Sequence, residues 1–178
     1  MSRLEEFIRT VHDFPIPGIE FRDITSLIED PIGFHMAIVE LLSAVSQFKA
    51  NVLVGIESRG FVFGAPVAWD CSIPFVMARK PGKLPNDTFK KDFDLEYGST
   101  SLEIQKNTDI SGNVVIVDDL IATGGTAIAC ADLIHENWNV PKENILVIAV
   151  IDLPDLKGSS LIQEQGYGVS TLVEFEGG

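Results

Sequence analysis

Basic residues are scarce in this chain. Thirteen Lys and Arg stand against 26 Asp and Glu in 178 residues, a formal net charge of −13. A surface for duplex nucleic acid must displace counterions with clustered cations, so nucleic acid is excluded as a general partner. Cysteine is nearly absent: Cys71 and Cys130 are too few for a disulfide framework and suit reduced thiols in a cytoplasmic setting. The three histidines, His12, His35 and His135, match no catalytic pattern, and no His/Cys spacing suggests zinc. No apolar run reaches the roughly 18 residues of a membrane span. The first residues, MSRLEEFIRTVHDF, carry charge throughout and lack an apolar core, so no signal peptide is expected. Internal repeats and low-complexity tracts are missing too.

What is present is a core. Hydrophobic residues make up 46% of the chain, enough for one well-filled domain over 1–178 with no linker. Helical spacing runs over Arg3–His12 and Pro31–Phe48; in the second, Phe34, Ile38, Leu41, Leu42 and Val45 recur at three- and four-residue intervals. Between them DFPIPGIEFRDIT, residues 13–25, is broken by two prolines and a glycine. Buried strands are expected at Asn51–Glu57, Ile73–Ala78, Leu102–Gln105 and Ile145–Leu153, with a weaker one closing the chain at GVSTLVEF. A helix is expected over about 60–69, and a long polar segment over 79–101. Apolar strands alternating with helices indicate an α/β fold, a mostly parallel twisted sheet covered by helices on both faces. Ligands in such folds lie beyond the carboxyl ends of the strands. Three of those ends carry polar residues, Glu57-Ser58-Arg59, Asp118-Asp119 and Asp152, and they are expected to converge on one crevice.

The most informative segment is VVIVDDLIATGGT, residues 114–126. A β-branched run ends in paired carboxylates, Asp118 and Asp119, then turns through Ala122-Thr123-Gly124-Gly125-Thr126 into a helix whose apolar stripe is Ala127, Ile128, Ala131 and Ile134. Backbone N–H groups of such a turn and of the helix start attract an anion, while carboxylates accept hydrogen bonds from hydroxyls. That pairing suits a sugar phosphate. The turn is neither a Walker A loop, since no lysine follows the glycines, nor GxGxxG. An acidic chain that binds polyphosphate also needs local cations. Arg59, after a strand end, can grip a phosphate bidentately, and Arg79, Lys80 and Lys83 cluster around Pro81-Gly82. Lys90 and Lys91 are read as solvated, and Gly60 and Gly64 as close helix packing. Phe21 is either a platform for a stacked base or core.

Residues 114–126 resemble the binding signature for 5-phosphoribosyl-1-pyrophosphate (PRPP) of the type I phosphoribosyltransferases. Residues 13–25, GIESRGFVFGAP (55–66), RKPGKLP (79–85) and DLEYGSTSLEIQ (94–105) extend the resemblance, in order, to the adenine-using branch of that family. The resemblance implies transfer of the phosphoribosyl group of PRPP to adenine, giving AMP and pyrophosphate, in a cytoplasmic homodimer using Mg2+. It implies a small N-terminal hood over the base, about residues 1–30, and a flexible lid over about 79–101. Asp118 and Asp119 would hold the ribose, and Ala122, Thr123, Gly124, Gly125 and Thr126 the 5-phosphate. Glu57 and Ser58, joined by a cis peptide, would bind pyrophosphate with Arg59, Arg79, Lys80 and Lys83, in part from the neighbouring subunit. Glu20, Phe21, Arg22 and Leu153 would bind adenine. Glu96 would be the catalytic acid/base and Tyr97 would help close the lid. No direct protein ligand to the metal is implied; magnesium would be held mainly through PRPP and pyrophosphate. Ser26, Pro81 and Phe93 depart from the family pattern.

Two other readings compete. A phosphoribosyltransferase for xanthine, hypoxanthine or orotate would share the signature but not the segment around Phe21 and Arg22. A regulator that senses PRPP and binds nucleic acid would need an appended basic region, which this acidic chain lacks.

Overall fold

The computed structural model describes residues 3–95 and 98–176. The expected Glu96 and Tyr97 roles lie outside the described residues. A 3-10 turn, Arg3–Phe7, leads into a two-stranded antiparallel hairpin, β1 (Arg9–His12) and β2 (Glu20–Asp23), which pairs Arg9 with Asp23 and His12 with Glu20. The helical spacing over 3–12 therefore ends at Phe7, where the chain leaves the core to form this hairpin. Helix α1 (Ile24–Glu29) follows, capped by the Asp23 side chain accepting from Thr25 N–H. Asp30 then caps α2 (Pro31–Phe48) by accepting from the N–H groups of Ile32 and Gly33, with Pro31 at the first helical position. By length and hydropathy α2 passes as a membrane span, yet its Gly33, Ala37, Leu41 and Val45 stripe is buried in the domain core.

Five strands form the central sheet: β3 (Val52–Ile56), β4 (Phe75–Ala78), β7 (Val114–Ile121), β8 (Ile145–Asp152) and β9 (Gly168–Glu174). Their order is β4-β3-β7-β8-β9 and all neighbours are parallel. Strand β7 explains the unbroken apolar run at 114–117. Val114 and Ile116 face α4 (Gly125–Trp138), while Val115 and Val117 face α2 and α3 (Arg59–Cys71). Both sides of the strand are buried. Gly60 brings α3 onto β7: a β-carbon there would overlap Val117 O. Gly64 packs against Phe75 and Leu53.

The segment read as polar over 79–101 contains a strand, β5 (Thr88–Leu95), and the first half of another, β6 (Gly98–Gln105), whose second half is the strand expected at Leu102–Gln105. The two pair antiparallel from Thr88–Gln105 to Leu95–Gly98. Alternation in TFKKDFDL turns Phe89, Lys91 and Phe93 to one side. Lys91 at an inward position disguised the pattern, and it is not solvated as expected: it pairs with Glu136 and, at 3.7 Å, Asp132 of α4. Phe89 meets Trp138 edge-on at 5.1 Å, and the Trp138 indole donates to Thr108 O. Lys90 stays exposed, paired with Asp92. A short helix, α5 (Gly158–Glu164), joins β8 to β9.

Candidate active site

Strands β3 and β7 are neighbours, and the chain leaves them in opposite directions: from β3 to the edge strand β4, and from β7 to β8. This is the switch point at which open parallel sheets form a crevice. A cavity of about 420 Å3 lies there, lined by Glu57, Ser58 and Arg59 beyond β3, Asp118 and Asp119 on β7, Thr126 of α4, and Lys80. The hairpin closes one side with Phe93, Thr100, Ser101 and Leu102. A second cavity of about 160 Å3 adjoins it, formed by Leu120 to Ala127 with Asp118 shared between the two. Of the three polar strand ends, two converge. Asp152 remains outside both linings, buried beside Ile121 and Glu174, because β8 lies one strand away from the switch point.

The smaller cavity is made by the glycine turn. Gly124 has φ +79° and stands at the N-cap of α4. The first N–H groups of a helix have no carbonyl partner within it, so the start of α4 offers donors and a positive dipole end towards an anion. Asp118 Oδ1 accepts from Asp119 N–H at 2.9 Å. Burial, and then the charge on Asp119, push the Asp118 carboxyl well above the ordinary aspartate range. The Cys130 thiol, buried on the same side, is pushed up by burial and by Asp118. Asp119 is buried too, and Arg59 Nε meets its Oδ2 at 2.7 Å.

Across the cavity the Glu57–Ser58 peptide is cis, as the resemblance implies. The Glu57 carboxylate takes two hydrogen bonds from Arg79, Nε at 3.1 Å and Nη2 at 3.0 Å, and a third from Lys80 N–H. These bonds, that from Arg79 foremost, hold its pKa below the ordinary range despite partial burial. Arg79 also donates to Lys83 O at 3.1 Å and exchanges backbone hydrogen bonds with Glu103 of β6. Of the expected cation cluster, only Lys80 lines the cavity. Arg79 and Lys83 stand beside it, shaping the basic loop around Glu57 rather than facing the cavity.

The residues expected to bind the base lie outside these two cavities. Phe21 is half-buried and packs edge-on against Phe14, ring centroids 5.1 Å apart. The Arg22 side chain is consumed internally: it donates to Thr10 Oγ1, to Glu20 Oε2 at 2.8 Å and to Glu176 O, and lies over the Phe175 ring. Leu153 is buried, its N–H bonded to Ile121 O at 3.1 Å. Glu20, Phe21, Arg22 and Leu153 are absent from the linings of both cavities among the described residues. Thr100 and Ser101 were not anticipated, since their strand was read as beginning only at Leu102.

A comparison with protein families matches the phosphoribosyl transferase domain over residues 28–150. Among curated relatives, the adenine phosphoribosyltransferase of Nitrosospira multiformis is 47% identical over 176 residues, covering 98% of this chain and 99% of the relative. The crystal structure of adenine phosphoribosyltransferase from Thermoanaerobacter pseudethanolicus superposes with a TM-score of 0.86 at 41% identity, covering 97% of this chain and 99% of the other. The Saccharomyces cerevisiae enzyme, solved with an iminoaltritol bisphosphate and adenine, gives 0.84 at 38% identity over 96% of each chain. The signature on β7 and α4, the switch-point cavity and full-length similarity agree: this chain belongs to the phosphoribosyltransferase family, among its adenine phosphoribosyltransferases.

Proposed function

We propose that this protein transfers the phosphoribosyl group of PRPP to adenine, the purine salvage reaction that yields AMP and pyrophosphate. The observation that carries this reading is the pair of joined cavities at the β3–β7 switch point. One offers the amides of a helix start to a phosphate, the other carboxylates and cations to a sugar and a second phosphate group. In this assignment Ala122 to Thr126 hold the 5-phosphate and Asp118 and Asp119 the ribose hydroxyls. Ser58 and Arg59 with Lys80 hold the pyrophosphate, while Glu57 and Arg79 keep the basic loop with Lys83 in place. The C1–oxygen bond to pyrophosphate breaks as a bond from C1 to an adenine ring nitrogen forms. The proton on that nitrogen passes to Glu96, and Tyr97 helps the hairpin exclude water.

Adenine lies between the hood and β8, with Phe21 and Leu153 on its faces and the backbone of Glu20 to Arg22 along its edge. The domain is single: about residues 1–30 form the hood and 79–101 the lid. Magnesium suits this site as an ion held mainly through the oxygens of PRPP and pyrophosphate, since Mg2+ keeps substrate phosphates among its ligands and the cavity assigned to pyrophosphate also holds Asp118 and Asp119. When bound, the ion would supply charge neutralisation at the leaving pyrophosphate. Cytoplasmic location and a homodimer complete the reading. Support for the dimer is an exposed apolar row on α3, Val62, Ala65 and Trp69, together with an exposed Met77 on the edge strand.

The test is AMP formation from adenine and PRPP, with and without Mg2+, beside hypoxanthine, xanthine and orotate as acceptors. Magnesium-dependent AMP synthesis with adenine strongly preferred is expected. Equal or better use of another base would overturn the adenine assignment, and no reaction with any base would overturn the activity.

A further inference from the structure

Gly158, the first residue of α5, is buried directly beneath the phosphate turn. A β-carbon built on it would overlap Ala122 O and would stand 2.7 Å from Gly124 N and 2.8 Å from Ile121 Cγ2. Seen from the other side, a β-carbon on Gly124 would stand 2.8 Å from Gly158 O and 3.1 Å from its Cα. Two glycines thus lie back to back, with main chain against main chain. At Gly64, by comparison, an added carbon would meet the Phe75 ring and the Leu53 methyl group, side chains that have some freedom to move. Under the turn, two of the three nearest atoms are backbone and cannot rotate away.

The path of the chain reinforces this contact. Leu153 leaves β8 with its N–H bonded to Ile121 O at 3.1 Å, just before the turn. The chain then makes a 3-10 turn, Pro154–Leu156, and passes through Lys157 in the left-handed region at φ +59°. It arrives under Ala122 at Gly158. The segment 153–158 is therefore fastened at one end to the strand leading into the turn, and at the other supports the turn from below.

We propose that Gly158 is a positioning residue for PRPP, setting the height and tilt of the Ala122–Gly124 backbone so that the amides at the start of α4 aim at the 5-phosphate. This rests on the assignment of the turn to that phosphate. Amide direction follows the peptide plane, so displacing the plane misaims the donors even when all of them remain.

Gly158→Ala is the direct test. Displacement of catalytic or binding groups by about 1 Å costs on the order of 100-fold, so KM for PRPP should rise about tenfold or more while kcat and KM for adenine change by less than about threefold. An unchanged KM for PRPP, or equal rises for both substrates, would overturn the proposal. Should the variant not fold, hydrogen exchange on the unaltered protein decides: ribose 5-phosphate should slow exchange at the amides of 158–162 together with those of 123–126. Protection confined to 123–126 would also overturn it. Failure of the unaltered protein to use PRPP at all would instead count against the assigned reaction, so the two failures are distinguishable.

Discussion

Asp118 shows how one carboxyl can serve the site at the expense of the fold. Its pKa is raised in the folded protein by burial and by Asp119, so the fold favours the protonated form. That preference is fully expressed below the ordinary aspartate pKa and is lost as pH rises through the raised value. Asp118→Asn removes the cost of burying the charge. The variant should melt above the unaltered protein at neutral and alkaline pH, and the gap should close as pH falls towards the ordinary aspartate range. PRPP use should meanwhile fall about tenfold or more, in line with a charged hydrogen bond worth about 1.5–3 kcal/mol. Melting temperature against pH, with kinetics at one pH, checks both; a melting difference independent of pH would refute the charge argument. Neighbouring Arg59 and Arg79 show that sequence identifies a cation but not its partner. Arg59 reaches Asp119 in the cavity, whereas Arg79 is spent on Glu57 and Lys83.

At the scale of elements, the β5–β6 hairpin is where sequence reading fell furthest short. Its strand alternation is carried by Phe89, Lys91 and Phe93, and a lysine at an inward position breaks the usual pattern of apolar residues on one face. The lysine is accommodated because α4 presents Asp132 and Glu136 to it, residues more than forty positions away in the chain. That helix also begins at the phosphate turn, so the hairpin and the turn share a support. A double-mutant cycle of Lys91→Ala and Glu136→Ala should return a coupling of about 0.5–1 kcal/mol, the upper part of the range for partly exposed pairs. Additive effects on stability would mean that the pair does not hold the hairpin. Helix α2, by contrast, was read from its spacing with its boundaries unchanged, since Asp30-Pro31 is a local start signal and its apolar stripe is regular.

On the scale of the whole molecule, the outer face of α3 runs from Arg59 at the cavity through Val62 and Ala65 to Trp69, which is 82% exposed. A large indole left in water is unusual enough to mark a contact surface. If a second copy covers this row, Trp69→Asp should yield monomers at micromolar concentration, detected by sedimentation equilibrium. A dimer that persists unchanged would place the interface elsewhere. The acidic composition acquires a spatial meaning as well. Of thirteen Lys and Arg, four, Arg59, Arg79, Lys80 and Lys83, gather around the mouth of one cavity or the loop that shapes it, against a net charge of −13.

The amino-acid sequence by itself determined the class of fold and the donor-binding signature. Both depend on neighbours along the chain: continuous apolar runs that make doubly buried strands, and a carboxylate pair, glycine turn and helix start within thirteen consecutive residues. Tertiary structure alone decided which polar strand ends meet, that Asp152 is left out, that Arg79 shapes a loop, and that Gly158 lies under Gly124. Those facts follow from strand order and from the approach of segments distant in sequence. Periodicity and local spacing carry no information about either, because contact across a sheet is set by how the layers pack.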